Sequence, residues 1–256
     1  MIPINGPAEI ALIRKAGSII AGLWDQLKGR LISGVSTQNL DQLACQYIQS
    51  QGGECAFKGY RGYPAGLCIS VNQEVVHGIP RPDRWLKDGD LVGIDVGVRW
   101  QGFIADAARS YLIGNSPDPR AVKLLAVTRQ ALESGIEQAR PGSRVSDISR
   151  AIQDTAEQAG YSVVRELCGH GVGAKLHQEP EIPNFCRPGS SPLLKPGMSL
   201  AIEPMINAGG AGVRFLSDGW TVVTADGNLS AHFEDTVIVT EGFPEIVTRT
   251  ASEQNR

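Results

Sequence analysis

Four acidic side chains, Asp95, Asp106, Glu203 and Glu234, stand in stretches otherwise made of apolar residues, glycine and alanine. Asp95 lies in LVGIDVGV. Read with period two, Val92, Ile94, Val96 and Val98 share one face of a strand, and Gly93, Asp95 and Gly97 share the other. A turn near Gln101-Gly102 sends the chain back with Asp106 beside Ile104, Ala108 and Ser110, so a short loop brings the two aspartates nearly opposite each other. Glu203 ends MSLAIE, and Glu234 in LSAHFEDTVIVT shares a face with His232 and Thr236. A buried carboxylate costs several kcal/mol unless it is paired or holds a metal. Arg99, Arg109 and Arg214 lie near these acids in sequence, so one reading is an arginine-paired buried network.

The four histidines favour the other reading. His77 sits in VVHGIP, His170 in CGHGVG, His177 in KLHQEP and His232 beside Glu234. Inward carboxylates with added imidazole suit Mn, Fe(II), Co or Zn. Two ions sharing bridging carboxylates explain so much negative charge in one place, because four such groups alone cannot all stay ionised. Ser70 and Ser199 lie in no G-x-S-x-G turn, H-E-x-x-H is absent, and GHGVG fits neither phosphate-loop pattern. Water activated by metal is therefore the expected nucleophile.

The elements that position these residues follow from periodicity. Helices are expected over 7 to 28, 36 to 51, about 118 to 139 and 146 to 159, with strands up to about 113 and again to about 240. Two helices followed by sheet are thus written twice. Gly34, Leu40 and Gly52 precede Gly142, Ile148 and Gly160 by a constant offset of 108 residues, and LKDGDLVGID precedes LKPGMSLAIE by the same offset, which lays Asp95 over Glu203. The expected class is α+β: a pseudo-two-fold antiparallel sheet with helices packed on one side, forming one domain over 1–256 with halves of about 1–115 and 116–250.

Composition bounds the rest. A net charge of -3 gives no basic footprint for nucleic acid, and no run of 18 apolar residues marks a membrane span. The N-terminus has no secretion pattern, and five cysteines without C-x-x-C make a thiolate zinc site or a disulfide framework unexpected. A soluble protein of the cytoplasm is expected.

VNQEVVHGIP, GIDVGVRWQGFIADAARS, CGHGVGAKLHQEP, LKPGMSLAIEPMI and DGWTVVTADGNLSAHFEDT, in this order and spacing, closely resemble the type I methionine aminopeptidases in their short bacterial form. The resemblance implies the pita-bread fold and metal-dependent removal of the initiator methionine from nascent chains, favouring a small second residue. It implies Asp95, Asp106, His170, Glu203 and Glu234 as ligands of two divalent ions, with Glu203 also the general base. His177 then donates to the oxyanion, and His77 contacts the departing peptide nitrogen. Tyr60, Tyr63, Cys68 and Trp220, with Phe57 and Leu176 nearby, line the methionine slot, where thioether sulfur meets aromatic edges. Phe57 reads equally well as core.

Asn72, Ser230 and the carbonyl of Glu74 resemble a monovalent-cation site. The implied partners are N-termini of nascent peptides, at the ribosome, met by a monomer. This chain departs from the pattern at Arg61, where histidine is common, at His232, where glutamine is expected, and at Asp235, where histidine is expected. His232 is expected to donate a hydrogen bond to Glu234 in place of a glutamine amide, with direct metal contact as the alternative. Two rival functions are a proline-specific aminopeptidase or dipeptidase of the same fold, whose members usually carry an extra N-terminal domain for which this chain has no room, and a non-catalytic peptide-binding member, which should have lost ligands.

Overall fold

A computed structural model describes residues 2–115, 118–250 and 253. Residue 116, where the second half is expected to begin, lies outside them. Four helices form where periodicity places them to within about two residues: α1 (Pro7–Lys28), α2 (Thr37–Ser50), α3 (Pro119–Glu137) and α4 (Val145–Gln158). Their starts are specified locally. Pro7 and Pro119 take first-turn positions, where a missing N–H costs nothing. Ser36 Oγ accepts from Asn39 N at 3.2 Å, and Asp118 Oδ1 accepts from Arg120 N at 2.8 Å.

Each helix pair covers its own strands. Ile20, Leu23 and Leu27 of α1 and Leu40 and Ile48 of α2 pack with Val92, Ile94, Val96 and Val98. Leu124 and Leu132 of α3 and Ile148 and Ile152 of α4 pack with Leu200, Ile202 and Ile206. Each such side chain contributes about 1.5–3 kcal/mol by leaving water. The helices therefore occupy the face that alternation assigns to Val92 and Ile94, leaving the Asp95 face free for chemistry.

The hairpin of Leu91–Trp100 and Phe103–Leu112 pairs from Leu91↔Leu112 to Trp100↔Phe103. Its two-residue turn has Gln101 at φ 45° and Gly102 at φ 88°, the left-handed pair that matches strand twist. Asp95 lies across from Ala108, and Asp106 lies across from Gly97, so the aspartates are diagonal neighbours on one face. Strands Leu67–Val71 and Glu54–Cys55 pair with the other edge of Leu91–Trp100. In the second half, Glu245–Ile246, Asp235–Ile238, Ser199–Ile202, Cys168–Gly171 and Gln178–Pro183 form a five-stranded sheet in that order.

The repeat is visible in the backbone. Gly34 and Gly142 both have φ 87°, and the bridges Ser36↔Trp85 and Arg144↔Leu193 keep the offset of 108. The antiparallel sheet is hydrogen-bonded as several ladders. Glu203 and Glu234 also fall in breaks between strand segments rather than inside strands. At Glu203 the cause is the next residue, because Pro204 has no N–H to continue the ladder.

Side chains close the seam between the two main sheets. Ala108 N and O bond with Glu234 O and N at 3.2 and 2.9 Å. On one side of that pair Thr236 Oγ1 accepts from Asp106 N at 2.8 Å and donates to Asp106 O at 2.7 Å. On the other side Ser110 Oγ donates to His232 O at 2.7 Å and accepts from His232 N at 3.1 Å. Arg109 then crosses the seam, donating to Glu234 O at 2.6 Å and to Asp235 Oδ1 at 2.7 Å. Arg249 Nε reaches the other Asp235 oxygen at 2.7 Å. A brace of two arginines around one buried aspartate thus ties Asp106's strand to Glu234's.

Burial pushes the Asp235 carboxyl up, but Arg109 and Arg249 outweigh it and hold it below the usual range. That stabilisation is present above the ordinary aspartate value of about 3.9 and is lost as pH falls through the lower folded value. Asp235→Asn leaves two arginines short of a counter-charge and is expected to cost about 3–5 kcal/mol in urea unfolding at pH 7. The gap from wild type should narrow as pH falls below the ordinary aspartate value of about 3.9; a cost under about 1 kcal/mol at pH 7 would refute the brace.

Candidate active site

On the face away from the helices, a cavity of about 580 Å³ is lined by Asp95, Asp106, His170, Glu203 and Glu234 at its floor residues and by His77, His177, Tyr60, Tyr63, Cys68, Trp220, Phe57 and Leu176 around them. The sequence-derived candidates for metal, catalysis and the apolar slot thus meet in one space. Asp106, His170 and Glu234 each offer a ligand atom within 4.8 Å of the other two. Glu203 Oε1 lies 3.4 Å from His170 Nε2.

Donor chemistry tests whether these residues fit a metal. Asp95 Oδ1, Asp106 Oδ1 and Glu234 Oε1 are buried without a hydrogen-bond partner, a costly arrangement unless a cation completes it. His170 Nδ1 lies 3.0 Å from Gly171 O. With the proton on Nδ1 donated to that carbonyl, the Nε2 lone pair faces the acids, the tautomer a ligating imidazole needs. No thiolate joins the group, so the set fits hard or borderline divalent ions.

The arginine-paired alternative does not form. Arg109 turns to Asp235 and Glu253, and Arg99 lies 4.0 Å from the exposed Glu54. The acids are left to one another. Burial pushes Asp95 up to about 7 against the opposing pull of His232. Burial, then the charges of Asp95 and Glu203, hold Asp106 well above the carboxylate range, and burial does the same to Glu203. Burial and the neighbouring carboxylates, Asp106 first among them, raise Glu234. The histidines move the opposite way. Burial first, and His177 second, takes His170 down to about 3; burial first also takes His77 and His177 down to about 4. These imidazoles are neutral at pH 7.

Around the acids, the walls are set by aromatic contacts and backbone turns. Tyr60 Oη lies 2.8 Å from His177 Nδ1, which leaves His177 Nε2 free to point elsewhere. Tyr63 Oη donates to Leu67 O at 2.9 Å and Gly78 O at 3.1 Å, and its ring meets Trp220 edge-on at 5.0 Å. His77 stands at φ 60°, a left-handed conformation that a non-glycine residue adopts only when its surroundings compel it. A Cβ on the following Gly78 would lie 2.3 Å from Ile69 O, so that close approach fixes the turn.

Cys68 pairs with Asp95 across the ladder and shares its face. Phe57 is both core and wall: it lines the cavity while packing so closely over Gly97 that a Cβ there would meet its ring at 2.7 Å. Arg61 sits at the rim, its guanidinium 5.4 Å from the Tyr60 ring centre.

Several residues the sequence reading passed over also line the cavity, namely Cys168, Gln178, Glu179 and Glu181. Their proximity to His170 and His177 was the available signal. Asn72 and Ser230 adjoin through Ser230 N donating to Asn72 O at 2.9 Å, while the Glu74 carboxylate turns back to Val71 N at 2.7 Å. His232 does not hydrogen-bond Glu234; its Nε2 lies 3.6 Å from Glu203 Oε2. The physical reason is the break at Glu203, which swings that carboxylate between two imidazoles. Among the described residues no helix is long and apolar enough to cross a membrane.

A raised carboxylate binds a proton in the folded state that it lacks when unfolded. Its stabilisation is full below the unfolded value of about 3.9 and is lost as pH rises through the folded value, about 7 for Asp95. Chelator-treated protein should therefore melt higher at pH 5 than at pH 8, by at least roughly 2–4 °C, the shift that about 1 kcal/mol brings to a chain of this size. Added divalent metal should remove the difference. A lower melting point at pH 5 without metal would contradict the crowding of these acids.

Residues 11–241 match metallopeptidase family M24. Methionine aminopeptidase 1 of Bacillus subtilis (strain 168) is 49% identical over 249 residues, covering 97% of this chain and 100% of that protein. The Escherichia coli (strain K12) methionine aminopeptidase is 41% identical, covering 96% and 94%. The crystal structure of a methionine aminopeptidase from Thermotoga maritima superimposes with a TM-score of 0.95 at 42% identity, covering 98% of this chain and 100% of that one. A prolidase from Pyrococcus furiosus shares the fold alone, with a TM-score of 0.77 at 22% identity; this chain covers 65% of it.

Proposed function

The chain belongs to the methionine aminopeptidases of metallopeptidase family M24, and from that premise we propose how its own residues divide the work. It is a hydrolase that removes the N-terminal methionine from polypeptides and uses divalent metal. Within that activity, residues 1–256 act as one catalytic domain of two pseudo-symmetric halves, and the preferred second residue is small. Asp95, Asp106, His170, Glu203 and Glu234 hold two divalent ions. The observation that carries this is the set of buried, unpartnered carboxylate oxygens facing the free Nε2 of His170.

When bound, the ions supply Lewis-acid polarisation of the scissile carbonyl and lower the pKa of the attacking water. The protein does the rest. The Glu203 carboxylate takes the proton of the attacking water and returns it to the departing amine. His177, neutral and held through Nδ1 by Tyr60, presents Nε2–H to the carbonyl oxygen as negative charge develops there. Neutral His77, beside Trp220 with ring centres 6.3 Å apart, meets the peptide nitrogen.

Tyr60, Tyr63, Cys68 and Trp220, with Phe57 and Leu176, receive the unbranched thioether, whose sulfur gains from aromatic edges. Asn72, Glu74 and Ser230 form the monovalent-cation seat, a reading supported by the Ser230-to-Asn72 backbone contact. The substrates are nascent chains, met in the cytoplasm at the ribosome by a monomer. Proline-directed exopeptidase action is disfavoured: the relatives that cover nearly all of this chain and nearly all of their own length carry the methionine-removing name.

Hydrolysis of Met-Ala-Ser against Ala-Pro peptides, before and after chelation, tests the reading. Cleavage of the methionyl peptide should vanish with metal and return with Mn, Co or Fe(II); full turnover by verified metal-free protein, or faster cleavage of the Ala-Pro peptide, would sink it.

Two substitutions separate ligands from donors. Asp106→Asn should lose metal and activity together. His177→Ala should keep near-normal metal content with kcat down on the order of a hundredfold or more. If His177→Ala instead strips the metal, His177 belongs among the ligands.

A further inference from the structure

One buried polar group beside Glu203 is accounted for by none of these roles. His232 is 3% exposed, and its Nε2 has no hydrogen-bond partner. Its backbone is fixed on both sides, by pairing with Met205 and by the two hydrogen bonds with Ser110 Oγ. From there Nε2 lies 3.6 Å from Glu203 Oε2, while His170 Nε2 lies 3.4 Å from Glu203 Oε1. The Glu203 carboxylate therefore has an imidazole nitrogen facing each of its oxygens.

Both separations are too long for hydrogen bonds, which close to 2.7–3.2 Å. They come within a few tenths of an ångström of the spacing between neighbouring donors around one ion: two ligands about 2.1 Å from a metal, at tetrahedral to right angles, stand roughly 3.0–3.4 Å apart. An imidazole serving only to donate to Glu203 would not leave Nε2 orphaned, at a cost of about 1–3 kcal/mol. Register agrees with this placement: Ser110, which holds the His232 backbone, pairs with Gly93, two residues from Asp95, whereas His170 groups with Asp106 and Glu234.

We propose that His232 is a sixth ligand: its Nε2 supplies a second imidazole to the site, on the side of Glu203 away from His170 and toward Asp95. Glutamine, the residue that resemblance leads one to expect here, offers only an amide oxygen. Imidazole binds borderline divalent ions far better. The chain thus gives each of two ions one nitrogen, and the ion nearer Asp95 gains affinity. The proposal rests on the metallopeptidase reading above.

The test uses full-length protein loaded with Co(II), not its turnover. Imidazoles that ligate through Nε2 keep an exchangeable Nδ1–H, which paramagnetic NMR counts as strongly shifted resonances lost in heavy water. Calorimetric titration of metal-free protein with Co(II) gives stoichiometry and affinities. Wild type should show two such resonances and His232→Gln one, with the weaker ion losing at least roughly tenfold in affinity and the tighter ion unchanged within about twofold.

His170→Gln should remove the other resonance and weaken the tighter ion instead. One resonance in wild type overturns the proposal, a result that needs no variant to fold. A second resonance that persists in His232→Gln overturns it too. In both cases metal still binds and the functional reading stands. Wild-type protein that takes up no Co(II) would overturn both.

Discussion

The site depends on the seam where the Phe103–Leu112 strand meets the segment around Glu234. A single backbone pair, Ala108 with Glu234, is extended on either side by hydroxyls: Thr236 bonds both backbone groups of Asp106, and Ser110 bonds both of His232. The consequence is that Asp106 and Glu234, which line the cavity, and His232, which lies against Glu203, are positioned by one row of contacts between the two halves. Hydroxyl bridges let the strands diverge without abandoning buried N–H and C=O groups, which must be satisfied somewhere. The Arg109–Asp235–Arg249 brace lies just behind that row, with Glu253 and Glu133 also pairing its arginines, so both guanidiniums are engaged outside the acid cluster.

That separation matters because the front of the seam is electrostatically unfavourable. Four carboxylates share a pocket with neutral imidazoles and no arginine paired to them among the described residues, and their protonation equilibria are pushed upward by burial and by one another. A divalent cation held here would displace protons and relieve like-charge crowding in the same step. Helix packing on the opposite face supplies the stability that the arrangement consumes. Alternation along Leu91–Trp100 enforces the division, with Val92, Ile94, Val96 and Val98 turned to the helices and Asp95 turned away.

The apolar slot and the polar floor share supports. Phe57 packs over Gly97, two residues from Asp95, and Cys68 lies directly across the ladder from Asp95 itself. Tyr63 ties its hydroxyl to the backbone of Leu67 and Gly78, and Tyr60 holds His177 through Nδ1. The aromatic walls of the cavity and its acids are therefore packed on common supports.

The sequence by itself determined the helices, the Asp95/Asp106 hairpin, the repeat at an offset of 108 residues and the acids and histidines worth watching, because these follow from periodicity and local turn chemistry. Asp95 and Asp106 are 11 residues apart in a hairpin, and short-range geometry is enough to pair them. Only the tertiary structure decided what meets across long separations. It ended the Ser199–Ile202 strand just before Glu203 and Pro204, turned Arg109 away from the acids to Asp235, and set His232 against Glu203 rather than Glu234. Period two assigns a residue to a face, but it cannot say which distant group arrives opposite that face. That choice is made by the seam, whose partners lie over a hundred residues apart and are fixed only when both halves have folded.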